Sequence, residues 1–234
     1  MQKILTKIFG IFLLFIFLGI GFIFLFNNDP LPKVAPSPEA DALAHKMLSA
    51  LGEDAYKDTR YLEWSFRGGD HSYVWDKQQG SVEMRWDTYE VTLKLYDLSK
   101  SKVLKKGEEV TGAKKASLIK KASGYFNNDS FWLVAPFKVF DDGTSRALVS
   151  LPDGSDGLLV TYSKGGDTPG DSYLWLLDES GIPEAFKMWV QILPLKGQKA
   201  SWEGWHRTDT GVLLPQTHRI GPIALDLGTV KTYN

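Results

Sequence analysis

Two periodicities of apolar positions divide the chain into helical and extended parts. Between residues 38 and 51, apolar side chains recur every three or four residues, and Ser37 followed by Pro38 is a favourable helix start. From Leu62 the period becomes two, in runs at 62–67, 73–76, 82–87 and 90–98 with short glycine-containing connections. We therefore expect one amphipathic helix followed by a four-stranded antiparallel meander with one buried face.

The second half of the chain repeats this order. Residues 113–126 have a helical pattern with lysines on one side, whereas 127–140 show no clean period and predict a short helix or turn followed by an extended piece. Alternation and turn residues then predict seven further strands, at 146–151, 157–163, 172–177, 184–192, 200–207, 212–219 and 222–231.

These elements predict a fold class that is mainly β with some α. About eleven antiparallel strands cannot remain flat without exposing their apolar face, so we expect a curved sheet, a half-barrel. The two or three helices, chiefly 38–51 and 113–126, are expected to cover its concave side.

The N-terminal region has the pattern of a membrane anchor. Ile8–Phe26 contains only Ile, Phe, Leu and Gly, and as a helix it would span about 28 Å, close to the hydrocarbon thickness of a bilayer. Lys3 and Lys7 precede it, so residues 1–7 are expected to be cytoplasmic and the rest periplasmic, which gives a single-pass inner-membrane protein. Residues 27–37 are proline-rich and predict a tether, and 38–234 form the exported domain.

A cleaved secretory signal is the alternative interpretation, and the protein would then be secreted. The apolar run is longer than a typical signal core and is followed by no small-residue cleavage site, which favours the uncleaved anchor.

Composition excludes several kinds of chemistry. The chain has no cysteine, so disulfides, thiolate metal sites and a lipidated cysteine are ruled out. Its 27 Lys+Arg are balanced by 28 Asp+Glu, so we expect neither nucleic acid nor anionic headgroups as partners. The lysines at 114–115 and 120–121 form the only local basic cluster, interpreted as a solvated helix face. No feature specifies a protein partner.

No motif predicts catalysis, a cofactor or a metal. The four histidines, His45, His71, His206 and His218, lack ligand spacing and are interpreted as surface residues, mostly on strands. The acidic loops 141–143 and 153–157 lack the calcium-loop pattern, and no nucleophile or phosphate-binding motif occurs. We therefore expect a protein that is not an enzyme, although a cleft shared by His206, Asp209 and an acidic loop would favour one.

The main candidate site is an aromatic face on the meander. Trp64, Phe66, Tyr73, Trp75, Met84 and Trp86 fall at matching positions of three successive strands, and Trp175 lies on a later strand. These side chains either pack as core beneath the helices or line an apolar cavity for a lipid or acyl chain. The sequence does not decide between the two, because it does not give a volume.

The order of elements and several short motifs resemble a known superfamily. The motifs are Trp64-Ser65-Phe66-Arg67-Gly68, Trp75-Asp76 with a turn at Gly80, residues 126–133 and Pro136-Phe137-Lys138. They are similar to the LolA/LolB-like superfamily of periplasmic lipoprotein carriers and receptors, and most similar to an uncharacterised, Bacteroidetes-type group of exported proteins. The resemblance covers about residues 40–230.

The resemblance implies a half-barrel that holds hydrophobic material, such as lipid or the acyl chain of a lipoprotein, and it implies no catalytic residues. The chain differs from the carriers by its membrane anchor and from the receptor by the missing acylated cysteine. A tethered receptor or chaperone is therefore the expected function. The alternative is a structural or protein-interaction module of the envelope without a ligand cavity.

Overall fold

A computed structural model describes residues 28–164, 169–192 and 194–234. The helices are α1 (Pro38–Leu51), α2 (Glu53–Asp58) and α3 (Gly112–Val134), with 3-10 turns at Leu98–Lys100 and Ala135–Lys138. None of the helices in these ranges is both long and apolar enough to cross a bilayer. The predicted anchor, Ile8–Phe26, lies outside the described residues.

Sixteen strands are found in the described residues. The first eight are β1 (Tyr61–Phe66), β2 (His71–Asp76), β3 (Ser81–Trp86), β4 (Tyr89–Lys94), β5 (Lys102–Lys105), β6 (Glu108–Glu109), β7 (Thr144–Ser150) and β8 (Asp156–Tyr162). The others are β9 (Ser172–Leu177), β10 (Pro183–Trp189), β11 (Gln198–Ser201), β12 (His206–Arg207), β13 (Leu213–Leu214), β14 (Thr217–Ile220), β15 (Ile223–Asp226) and β16 (Lys231–Tyr233).

The strands form four antiparallel sheets. A seven-stranded sheet has the order β16-β1-β2-β3-β4-β5-β6, and a five-stranded sheet has the order β11-β10-β9-β8-β7. The pairs β12-β13 and β14-β15 form two short ribbons. The mainly β class is confirmed, but the expected single sheet of about eleven strands is replaced by two larger, open sheets and two ribbons, because α3 interrupts the strand order between β6 and β7.

The predicted meander is confirmed, and its register shows which side chains share a face. Trp64 lies opposite Tyr73, which lies opposite Met84. In the neighbouring rows, Trp75 faces Leu62 and Val82, while His71 lies between Phe66 and Trp86. Six of the seven predicted site residues therefore lie on one face of the seven-stranded sheet, as their alternation indicated.

The first helix has the predicted bounds. The Ser37 hydroxyl accepts a 3.3 Å hydrogen bond from the Ala40 amide, which caps the first turn. At the other end, Gly52 has φ +81°, a left-handed conformation that ends the helix. Ala40, Ala44 and Met47 are fully buried, so this helix contributes one apolar stripe to the core.

Helix α3 is longer than expected and joins the two larger sheets. It continues to Val134 instead of ending near 126. Its middle packs on β1 and β2 through Phe126, and its last turns pack on β9 and β10 through Phe131 and Trp132. The polar run 127–130 obscured the helical period, because Asp129 and Ser130 are buried despite being polar. One hydrophobic core therefore includes both sheets.

The N-terminal segment, residues 28–37, lies along the outer face of the five-stranded sheet. The Asp29 carbonyl accepts a 2.9 Å hydrogen bond from Trp189 Nε1, and its carboxylate lies 2.7 Å from Lys187 Nζ. Eight residues later, the Ser37 amide donates to the Arg146 carbonyl on the edge strand β7. The segment therefore crosses β9 and β8 between these two points, which is a fixed path that the proline-rich composition did not indicate.

Candidate functional site

An open groove lies between the first half of α3 and the connection that follows β4. Its volume is about 790 Å³, within the range of small-molecule sites in proteins. Two of its lining residues, Leu98 and Ser99, belong to the 3-10 turn, and the others lie on α3 at Gly112, Lys115, Ala116, Ile119, Lys120, Ser123 and Gly124. The spacing of the α3 residues shows that a single face of the helix forms one wall.

Small side chains make this groove. Gly112, Ala116, Ser123 and Gly124 present little or no side chain along the wall. Ile119 is 7% exposed and connects the groove floor to the hydrophobic core. The two charged lining residues are both cations, Lys115 and Lys120. The groove therefore combines apolar contact area with positive charge and contains no carboxylate among its lining residues.

The predicted aromatic face lies next to this groove, beneath the middle of α3. Six of the seven predicted residues are at most 7% exposed, namely Trp64, Phe66, Tyr73, Met84, Trp86 and Trp175, and the seventh, Trp75, is half-buried. Trp175 belongs to the five-stranded sheet and packs on Phe186 and Trp202, so the structure does not bring it into the same row as the others. A ligand-contact role for the seven residues stays a prediction.

Aromatic side chains of α3 cover that face. The ring of Phe126 lies 5.3 Å from Trp75, 6.2 Å from Tyr73 and 6.3 Å from Trp64, measured between centroids. Tyr125 packs edge-on against Trp86 at 5.8 Å. In this conformation the aromatic face is in contact with the helix, so a ligand has access to it only where α3 is lifted or where the groove opens.

A polar cluster is enclosed in this contact. Asp129, 1% exposed, accepts a 2.6 Å hydrogen bond from the Tyr73 hydroxyl on the same oxygen that lies 2.6 Å from His71 Nδ1. Asn128 donates to the other oxygen at 2.8 Å. Burial, together with the charge of Asp129, raises the pKa of Tyr73, so the phenol stays protonated and donates. We refer to these four residues as the Asp129 cluster.

Sequence reasoning missed the Asp129 cluster. Only a weak signal was present: an aspartate and two asparagines within a run of apolar and aromatic residues at 125–134. A polar residue at an apolar helix position points to a buried hydrogen-bond partner, but the partners come from strand β2, 56 and 58 positions away in the chain.

Two buried indoles of the aromatic face lack a hydrogen-bond acceptor among the described residues. These are Trp64 Nε1 and Trp75 Nε1, and both rings lie against Phe126. Buried tryptophan N–H groups ordinarily have an acceptor. The aromatic face therefore offers two donors to an oxygen-bearing ligand in contact with it.

The four histidines have separate surroundings in the fold. His218 is fully buried, contrary to the expected surface position, and packs edge-on against Trp202 with a centroid distance of 4.4 Å. This burial lowers the pKa of His218 to about 4, so it is neutral at physiological pH. His206 Nε2 lies 3.2 Å from the Val230 carbonyl. Within 28–164, 169–192 and 194–234, no three His, Asp or Glu side chains form a group that could hold a metal ion.

Comparison with solved structures finds similar chains. No family model matches the chain, and no curated protein matches it. The crystal structure of a DUF1329 family protein from Desulfovibrio piger ATCC 29098 is similar with a TM-score of 0.45 and 12% sequence identity, over 84% of this chain and 93% of that chain.

Proposed function

We propose that this protein is a membrane-tethered periplasmic domain that binds an apolar ligand, a lipid or the acyl chain of a lipoprotein, in the groove beside α3. The observation that carries the proposal is the groove itself, about 790 Å³, with a wall of small residues and a floor at Ile119. Burial of a hydrocarbon chain against such a surface stabilises a complex by about 25 cal/mol for each Å² of apolar area removed from water.

The neighbouring aromatic face supports an extension of the site. On the same helix, just beyond Gly124, Phe126 packs on Trp64 and Trp75, and Tyr125 packs on Trp86. A chain longer than the groove would reach this contact and separate α3 from the sheet, which would bring the predicted site residues into the ligand's path. The two unpartnered indole N–H groups would then meet any ester or carboxyl oxygen of the ligand.

The tethered location is the other part of the proposal. It rests on the apolar run Ile8–Phe26 and the lysines before it. The Asp129 cluster is enclosed beneath α3, and its Tyr73 hydroxyl, whose pKa is raised by burial, stays protonated. The proposed activity is therefore binding without chemical conversion of the ligand.

Photocrosslinking tests the binding site directly. The full chain in its membrane is supplied with a fatty acid that carries a diazirine, and the crosslinked residues are mapped by mass spectrometry. We expect crosslinks within residues 112–124. Ala116→Trp fills the groove and should remove them, while Ala113→Trp, on the same helix but outside the lining, should retain them. Crosslinks confined to residues 8–26, or equal labelling in both variants, would contradict the proposal.

A further inference from the structure

The charge of the domain is divided unevenly. Residues 94–121 hold nine lysines against three carboxylates, whereas the whole chain carries 27 Lys+Arg against 28 Asp+Glu. The rest of the chain is therefore acidic, and the near-zero net charge conceals a strongly basic region. The four lysines of α3 noted in the sequence are joined in the fold by a second group.

The fold gathers most of these lysines around the groove. Lys100, Lys105 and Lys106 lie on and beside β5, and four lie between residues 114 and 121, on the first half of α3; together they form what we name the basic face. Lys102 is not part of it, because side chains alternate along a strand and its neighbour Val103 is buried on the side that faces α3. Leu98 and Ser99, just before the first group, line the groove together with Lys115 and Lys120 of the second group. Six of the seven lysines are exposed, and Lys115 is half-buried.

Most of this charge is not neutralised by the protein. Among the described residues, Lys100 is the one member of the basic face within ion-pair distance of a carboxylate, 3.2 Å from Asp97. Lys105 and Lys121 lie over the rings of Tyr89 and Tyr125 at 5.7 and 5.3 Å, contacts that leave the charge in place. The nearby carboxylates of β6, Glu108 and Glu109, are exposed and reduce the charge only in part.

Exposed apolar side chains accompany the lysines. Tyr96 is 82% exposed and Leu98 is 39% exposed, and both lie in the connection between β4 and β5. The Tyr96 ring lies over Gly80, in the turn between β2 and β3, and Leu98 lines the groove. An exposed tyrosine and leucine near lysines are typical of proteins that contact the interfacial region of a bilayer, because such rings insert at the headgroup level while lysines attract anionic lipids.

We propose that the basic face docks the domain on the surface of a bilayer that contains anionic phospholipids. The groove opens within this face, so docking would place its mouth against the membrane. The inference rests on charge and exposure and does not require that the groove binds a ligand.

Vesicle flotation tests the inference. The full chain is held in phosphatidylcholine nanodiscs and mixed with larger vesicles of phosphatidylcholine alone or with added phosphatidylglycerol. We expect flotation with the phosphatidylglycerol vesicles only, and loss of binding as salt is raised. The triple variant Lys105→Gln, Lys115→Gln, Lys120→Gln should reduce the partition coefficient about a hundredfold, since each lysine near an anionic surface contributes about 1 kcal/mol.

A matched triple variant distinguishes the effect of the basic face from the effect of the net charge of the protein. Lys33→Gln, Lys164→Gln, Lys199→Gln changes the net charge equally at exposed positions away from the basic face and should bind the vesicles like the original chain. Equal loss in both triple variants, equal flotation with neutral vesicles, or binding to duplex DNA in place of vesicles would overturn the inference. Ala116→Trp should still bind vesicles, so failure of the ligand proposal would be distinguished from failure of this one.

Discussion

The Asp129 carboxylate and the Tyr73 hydroxyl are 2.6 Å apart in the middle of the contact between α3 and the seven-stranded sheet. His71 and Asn128 also contact the carboxylate, and Trp64 stacks on Tyr73 with a centroid distance of 4.6 Å. A buried carboxylate is tolerated only where it is hydrogen-bonded, so this pair fixes the position of α3 along the sheet more specifically than apolar packing can.

Tyr73→Phe is expected to destabilise the fold by about 1–3 kcal/mol, because it removes one of the donors that satisfy the buried Asp129 carboxylate. Urea unfolding followed by tryptophan fluorescence measures the change. Tyr96→Phe is the control, since that ring is 82% exposed, and its midpoint should not move. Equal midpoints for both variants would show that the hydrogen bond between Tyr73 and Asp129 does not stabilise α3.

We expect the buried His218 to make the folded domain less stable in mild acid. Its pKa is lowered to about 4 by burial, whereas in the unfolded chain it is near 6.5. Between these values the unfolded state binds the extra proton, so stability falls as pH decreases from about 6.5 to 4, by about 3 kcal/mol in total. In His218→Gln this part of the dependence should vanish, while His45→Gln, on the exposed side of α1, should keep it. Identical pH profiles for the original chain and His218→Gln would contradict the prediction.

We expect the ion pair between Arg60 and Asp76 to cause a second decrease in stability, at lower pH. The guanidinium group of Arg60 lies 2.9 Å from Asp76 Oδ2, and this contact, with help from the Gln79 amide, lowers the pKa of Asp76 to about 2. The depressed pKa means that the pair stabilises the fold above about pH 4 and that this contribution is lost as pH falls towards 2.

In Arg60→Gln, the pKa of Asp76 should therefore rise towards its ordinary value, as followed by an NMR titration of the side-chain carboxyl. The variant and the original chain should differ in stability at neutral pH and converge near pH 2. An unchanged Asp76 titration would show that the Gln79 amide alone is sufficient.

Trp189→Phe is expected to loosen the N-terminal segment, because the ring loses the N–H that binds the Asp29 carbonyl. Trypsin should then cleave faster after Lys33, and the Ser37 amide should exchange faster with deuterium. Trp205→Phe removes a comparable bond, from an indole N–H to the Pro183 carbonyl, far along the chain from the segment. If both variants accelerate cleavage equally, the effect is a general loss of stability.

Local patterns in the sequence were sufficient for the meander and for α1. The alternation at Leu62, Trp64 and Phe66 reports which face of a strand is buried, and Ser37 and Gly52 mark the helix ends through their own backbone preferences. Such signals depend only on residues that are close together in the chain, so they can be recognised in a single sequence.

Pairings between residues that are distant in the chain could not be predicted from the sequence. Strand β16 completes the seven-stranded sheet by pairing with β1, with Tyr233 opposite Tyr61. No pattern among neighbouring residues in the chain predicts that pairing. The end of α3 was missed because Asp129 obscured the helical period, and its partner Tyr73 lies on another element.

The groove could not be predicted for a different reason. In the sequence, nothing distinguishes Gly112, Ala116 and Gly124 from other small residues of a helix. Small residues either leave a groove or allow closer packing, depending on the distance to the neighbouring element. The basic face was hidden because charges from α3 and from β5 add only after folding.

The N-terminal segment also determines how the domain responds to a pulling force. A load applied from residue 28 would first reach Asn28 and Asp29, whose bonds to Lys196, Lys187 and Trp189 run from the segment to the outer face of β10 and its neighbouring loop. Those bonds would break one after another, as in peeling, and uncover the small outer cluster of Ala147, Leu159, Leu174 and Trp189. The main core would carry the load only after the segment had detached as far as Ser37, so the segment can yield under tension before the domain unfolds.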